Sequence, residues 1–419
     1  MSTLSGLDLA FLSLERASTP MHVGAVALFR PNTSIDADAV ARLLAERADA
    51  LPRLRQYVRP TLFPPGGADW VSTPDFRAAD HISVYRLPHE LDLLDAYASR
   101  WVATPLDLSR PPWELHVVAG LPDGGFAVLL KLHHALTDGA GAVEIAGGLL
   151  DGLCEHRVPT PASAALPGLV DRVRQGVEVA TAVAKAIRPP WAAPLLSRTS
   201  PEREFARVRL DLADIRHIRK THGGTVNDVI LTVLSGALRD WMDASGRRAA
   251  DIRAMIPVSV RGRGEVGGGN QISAYLCDLP VATPDPVDRL RAVRAAMDAN
   301  KKMGPTKGAG ALPLVASWLP PLAHRVGTRM LAGSAAMLFD TVVTTVPFPR
   351  MELRLAGAAM REVYPVVPLA PGHRVGFAVS TYLDGVHIGL NADPAAVADL
   401  GRLADAIVKS TATLHERCA

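Results

Sequence analysis

The chain has 419 residues, of which 48% are hydrophobic and 21% charged, with a net charge of +3. That balance excludes a disordered chain, and so small a basic surplus argues against nucleic-acid binding. Two domains are expected at this length, because single cores rarely grow past about 250–300 residues. Aromatics make up 5%, so the core should be aliphatic. The three cysteines, Cys154, Cys277 and Cys418, are scattered and form no CxxC pair, which points away from a disulfide framework or a structural zinc site. No basic-then-apolar leader opens the chain. No apolar run reaches the roughly 18–20 residues of a membrane span, and the nearest, 309–339, is broken by Pro313, Pro320, Pro321, His324, Arg325 and Arg329. The expectation is a cytoplasmic protein that touches a membrane surface without crossing it.

In chain order, strand-like runs fall at 24–29, 115–121 and 126–132. The Leu-Pro-Asp-Gly-Gly turn at 121–125 joins the last two into a hairpin. From Gly139 the pattern becomes helical, with Val143, Ile145, Ala146 and Leu149 on one face. A Pro- and Ala-rich stretch at 158–167 reads as a linker, and 169–187 as one helix carrying Arg172, Arg174, Lys185 and Arg188, with Trp191 beyond it. The second half runs from strand 207–212 through helix 213–221 to a strong helix 226–244, N-capped by Thr225. Strands 252–260 and 272–279, helix 286–303, strand-like runs at 341–346, 351–355, 376–382 and 386–390, and a helix 394–415 complete it. The mixture lacks a strict βαβ rhythm, so the class is α/β with α+β-like mixed sheets. The expected division is 1–160, a linker with a helical segment at 161–202, and 203–419.

The chemistry concentrates at His133-His134-Ala135-Leu136-Thr137-Asp138-Gly139, where a buried strand gives way to a helix. Imidazole titrates near neutrality, so a histidine at a strand end can take a proton from a hydroxyl and return it. Neighbouring side chains in an extended stretch point to opposite sides, so only one histidine can face a given cavity. Asp138 stands where its carboxylate caps backbone amides and holds the loop, and Gly139 permits a tight turn. No Gly-x-Ser-x-Gly elbow, P-loop or dinucleotide fingerprint accompanies it.

The heptad, together with Leu7-Asp8-Leu9-Ala10-Phe11-Leu12, Pro20-Met21-His22-Val23-Gly24, the segment Pro105 to Glu114, Val226-Asn227-Asp228-Val229-Ile230-Leu231, Pro257-Val258-Ser259-Val260-Arg261 and Gly269-Asn270, resembles the bacterial wax ester synthase/acyl-CoA:diacylglycerol acyltransferase family. That family belongs to the chloramphenicol acetyltransferase and condensation-domain superfamily. The resemblance covers nearly the whole chain. It implies two chloramphenicol-acetyltransferase-like halves with a tunnel at their interface, His134 as general base, and Asp138 as an orienting, mainly structural residue. It also implies acyl-CoA as co-substrate, with no other cofactor and no metal, and a lipid alcohol as acceptor: diacylglycerol first, a long-chain alcohol second. Two departures bear on the acceptor. Pro112 replaces the leucine of a Pro-Leu-Trp motif, and Thr345-Val346-Pro347-Phe348-Pro349 stands where many members read Asn-Val-Pro-Gly-Pro.

Beside His133, His134, Asp138 and Gly139, the expected substrate-lining set is Asn227, Asp228, Arg261, Asn270 and Trp113. Asn227 and Asp228 lie in a first helical turn, where they either satisfy free amides or line the site. Arg261 is open to two readings, an ion pair with Asp138 or a solvated strand end. Trp113, after two prolines, is a packing residue as readily as a ligand contact. The basic helix at 169–187 and the broken apolar segment 312–322 are the candidate contacts with a membrane or lipid-droplet surface. An acyltransferase of the same fold acting on a non-glyceride acceptor, and a non-catalytic lipid-binding protein, are the alternatives.

Overall fold

A computed structural model describes residues 2–32, 35–63, 65–88, 91–152, 169–188, 195, 200–259, 272–305, 307–311, 321–324 and 337–418. After β1 (Ser2–Thr3) comes α1 (Gly6–Leu14), started by a capping box in which Ser5 and Asp8 each accept the other's backbone N–H. Next are β2 (His22–Arg30), α2 (Ala37–Asp49), β3 (Gln56–Pro60), β4 (Ala68–Ser72), β5 (Ile82–Arg86) and α3 (Leu91–Ala103). The expected hairpin is present as β6 (Trp113–Ala119) and β7 (Phe126–His133), and α4 (Gly139–Leu149) and α5 (Leu169–Ala186) follow where the periodicity places helices.

The second half starts with β8 (Glu204–Asp211), α6 (Leu212–His222) and α7 (Val226–Ala244). Thr225 caps α7, and its capping box is closed by Asp228. Then come β9 (Ile252–Ser259), β10 (Ile272–Leu279), α8 (Pro286–Met303), β11 (Thr341–Pro347), β12 (Arg354–Leu355), β13 (Ala358–Val366), β14 (Val375–Tyr382), β15 (Gly385–Ala392) and α9 (Leu400–Glu416).

These strands form two six-stranded sheets, β12-β13-β2-β7-β6-β5 and β10-β9-β11-β14-β15-β8, and a small sheet β1-β4-β3. Pairings are antiparallel except β5–β6, β9–β11 and β11–β14, so the sheets are mixed, as expected. Several details differ from the sequence reading, which placed no element between residues 30 and 114 where α2, β3, β4, β5 and α3 lie. Strand β13 was not foreseen, because a register shift between Met360 and Glu362 breaks its alternation. It pairs with β2, so this segment belongs to the first sheet although it follows residue 203 in the chain. Helix α9 begins at Leu400 rather than 394: Asp393 accepts the Ala395 N–H, and Asp399, in a left-handed conformation at φ 64°, provides the cap for Arg402. Only Arg354 and Leu355 of the run 351–355 form a strand.

The sheets abut where β13 meets β14 and β15. Ser380 Oγ donates to the Val363 carbonyl at 2.6 Å and Asn391 Nδ2 to the Val367 carbonyl at 2.8 Å. At Gly389 a Cβ would lie 2.1 Å from the Pro365 carbonyl oxygen, so only glycine permits this approach. Helix α3 packs across β8, with Asp95 accepting from Arg207 and Ser99 Oγ accepting the Phe205 N–H at 2.9 Å. Between β2 and β6, every residue of β7 is buried. Leu130 and Leu132 join the aliphatic core that includes α2, while Leu129 joins the cluster that includes α3. The end of this central strand is therefore a rigid place from which to present a side chain.

Candidate active site

Strand β7 stops at His133, and the Leu136 N–H turns back to the His133 carbonyl at 2.8 Å. Backbone bonds fix both histidines: His133 N–H donates to the Pro112 carbonyl at 2.9 Å and His134 N–H to the Met21 carbonyl at 2.8 Å. Because the contact at Pro112 is made by its carbonyl, the replacement of leucine there leaves it intact. Asp138 is the N-cap of α4, its Oδ1 accepting the Gly141 N–H at 2.9 Å, and it is only 3% exposed. A Cβ on Gly141 would sit 2.2 Å from Thr137 Oγ1, so the loop closes tightly on the helix start.

The two histidines differ in environment. His133 is 1% exposed. Its Nδ1 accepts the Ala135 N–H at 3.1 Å, which places the ring proton on Nε2, and Nε2 lies 3.4 Å from a carboxylate oxygen of Glu15. Glu15 also accepts the Met21 N–H. His134 is half-buried, and the ring of Phe11 stacks on it with centroids 3.9 Å apart and planes 11° apart. Of the pair, His134 is thus the more exposed member.

Buried positive charge shapes the surroundings. Lys131 is 0% exposed; its Nζ donates to the Trp101 and Thr104 carbonyls at 2.7 and 2.8 Å and pairs with Glu114 at 2.7 Å. Burial pulls its pKa below the ordinary lysine value, and Glu114 opposes that shift. His22, the register partner of His133, is held well below the usual histidine pKa, chiefly by burial and then by the charge of Lys131. It therefore stays neutral beside the histidine pair.

From the second half, Val346 of β11 approaches Gly139, its Cγ2 being 3.8 Å from where a Cβ would stand. The preceding residue, Thr345, donates from Oγ1 to Asn227 Oδ1 at 3.0 Å. Strand β11 thereby joins the start of α4, at Gly139, to the start of α7, at Asn227. Asp228 is buried, with Oδ2 accepting the Thr225 N–H at 2.8 Å. Trp113 points away into the core of the first half; its indole N–H donates to the Leu54 carbonyl at 2.8 Å and its ring stacks on His81. Arg261 and Asn270 lie outside the described residues. Among the described residues no cluster of metal-ligating side chains is found.

Several contributors escaped the sequence reading. Glu15 and Phe11 are brought to the histidines by α1. Arg53 donates to the Leu136 carbonyl from Nε at 2.9 Å and Nη2 at 2.7 Å, clamping the middle of the heptad, while its guanidinium lies over Trp70. Nothing local marks Arg53 in a run of arginines as the one that turns inward.

The family model described as the wax ester synthase/diacylglycerol acyltransferase catalytic domain matches residues 4–163 and 155–230, and that of the C-terminal domain of the same family matches 268–415. The chain is 30% identical over 446 residues to a probable diacylglycerol O-acyltransferase of Mycobacterium tuberculosis, covering 99% of this chain and 96% of that one. Among solved structures, the wax ester synthase/diacylglycerol acyltransferase of Marinobacter aquaeolei VT8 superposes with a TM-score of 0.75 at 24% identity, covering 100% of each chain. The starter condensation domain of rhizomide synthetase, solved with C8-CoA, superposes with a TM-score of 0.61 at 17% identity, covering 100% of this chain and 94% of that one.

Proposed function

Since the chain belongs to the wax ester synthase/diacylglycerol acyltransferase family, an acyltransferase acting on a lipid alcohol, we propose that it moves a long-chain acyl group from acyl-CoA to diacylglycerol, with His134 as general base. His134 takes the proton of the acceptor hydroxyl as its oxygen attacks the thioester carbonyl, and the tetrahedral intermediate collapses with loss of the CoA thiolate, which is protonated in turn. The observation that carries this reading is the division of labour within the pair. His133 is sealed, with Nδ1 and Nε2 facing Ala135 and Glu15, whereas His134 is accessible at the end of the strand. Asp138 holds the loop as a helix cap and carries no proton in this scheme. The C8-CoA bound by the condensation domain of the same fold supports a CoA thioester as donor, and the mycobacterial relative's name supports diacylglycerol as acceptor.

Purified protein with palmitoyl-CoA and, in parallel, dioleoylglycerol, hexadecanol and a soluble short alcohol tests both parts. His134→Ala should lose about 10²–10⁴-fold in rate while remaining folded, and His133→Ala should lose less. Equal rates for wild type and His134→Ala would sink the mechanism. A preference for hexadecanol would move the acceptor from a glyceride to a fatty alcohol.

A further inference from the structure

The histidine pair is held by groups far from the heptad in sequence. Phe11 lies in the last turns of α1, and Glu15 is the C-cap of the same helix, its N–H donating to the Phe11 carbonyl at 3.1 Å. Their spacing of four residues brings both to one side of the helix end. From there Phe11 covers the face of the His134 ring, 3.9 Å away, and the Glu15 carboxylate reaches His133 Nε2 and the Met21 N–H. Met21 returns its carbonyl to the His134 N–H at 2.8 Å, so Glu15 acts on His133 directly and on the backbone of His134 through one residue. The helix is itself anchored by its Ser5–Asp8 capping box and by the Leu4 N–H to the Ala68 carbonyl at 3.0 Å.

We propose that Phe11 and Glu15 are the positioning residues of this site, Phe11 fixing the plane of the His134 ring and Glu15 fixing His133 and the Met21 bridge. The proposal rests on His134 being the base. A stacked ring leaves imidazole free to move in its own plane but blocks rotation out of it, since rotation drives the ring edge into the Phe11 face. A general base needs such restraint, because an error of about 1 Å in its placement lowers rate by about 100-fold. Phe11 and Glu15 touch no substrate in this scheme. Their effect falls on kcat, and binding of acyl-CoA is untouched.

The test compares Phe11→Leu, Phe11→Tyr, Glu15→Gln and Glu15→Ala with wild type, using palmitoyl-CoA and whichever acceptor wild type accepts. Phe11→Leu keeps apolar bulk but removes the ring; kcat should fall roughly 10- to 100-fold with KM for palmitoyl-CoA unchanged and only a small drop in melting temperature. Phe11→Tyr should restore most of the loss. Glu15→Gln retains an acceptor for Met21 and should lose less than Glu15→Ala. In a His134→Ala background, followed at high enzyme concentration, Phe11→Leu should cause no further loss, because the residue it positions is gone. An unchanged kcat for Phe11→Leu, a tyrosine variant no better than leucine, or the same fold-loss with and without His134 would each overturn the proposal. The base assignment is judged separately by His134→Ala alone, so either can fail while the other stands.

Discussion

Replacing Asp138 by alanine and by asparagine separates what its cap contributes from what its charge contributes. In the folded chain Oδ1 accepts the Gly141 N–H at 2.9 Å in a site only 3% exposed. Alanine removes the acceptor, and loss of an N-cap costs about 0.5–2 kcal/mol. Burial prevents water from replacing it, and an unsatisfied buried donor costs about 1–3 kcal/mol. Together these place Asp138→Ala near 2 kcal/mol, since the two figures describe the same lost bond and do not add. At about 1 °C per kcal/mol for a chain of 419 residues, the melting temperature should drop by roughly 2 °C. Asparagine keeps a carbonyl in the same place and caps almost as well, so Asp138→Asn should lose under about 1 kcal/mol. Activity should follow the same order, because the cap sets the path of the backbone from His134 to Gly139. Differential scanning calorimetry with parallel rate measurements checks both. An asparagine variant as unstable and as inactive as alanine would refute the cap account and transfer the role to the charge. An alanine variant with an unchanged melting temperature would refute it as well.

His387 is fully buried on β15 beside Tyr364, and burial pushes its pKa down to about 4 from an ordinary 6.5. The unfolded chain therefore takes up this proton first, so stability falls as pH drops from about 6.5 to 4, by about 3 kcal/mol at roughly 1.4 kcal/mol per unit; His387→Leu should remove that part of the pH dependence in urea unfolding, and an identical dependence in the variant would refute it. Lys131→Met leaves the buried Trp101 carbonyl, the part-buried Thr104 carbonyl and Glu114 without this donor, and because Thr104 and Glu114 are partly exposed the loss should fall toward the lower end of about 3–5 kcal/mol, read by thermal unfolding; an unchanged melting temperature would contradict it. Because the acceptor of this family is a lipid alcohol, the enzyme is expected to meet it at a lipid surface. Arg174, Val177, Lys185 and Ile187 are exposed on α5 and just beyond it, and Leu62 and Phe63 stand out at 98% and 87% exposure between β3 and β4. Flotation with anionic liposomes should show salt-sensitive binding, since each basic residue near the surface contributes about 1 kcal/mol, and should weaken in Leu62→Ser/Phe63→Ser; a chain that never floats at low salt refutes attachment. Arg188 was expected among these contacts, but it is drawn into a pair with the buried Asp340 at 2.6 Å.

What the sequence determined by itself was local. Period-two runs bounded by Pro-Asp-Gly placed the β6–β7 hairpin, apolar spacing placed α4, α5, α7 and α8, and the heptad marked the strand end where a base can stand. Asp138 and Thr225 were legible as caps because capping is a bond between near neighbours in the chain. The tertiary structure decided everything that joins distant segments. Strand β13, with its alternation broken by a bulge, enters the first sheet from beyond residue 350. Phe11 and Glu15 reach the histidines across more than a hundred residues, Arg53 clamps Leu136, and Trp113 turns into the core of the first half. The physical reason is the same in each case. A side chain's role at such a place depends on which face its element buries and on what meets it there, and composition or spacing along one segment carries no information about a partner supplied by another.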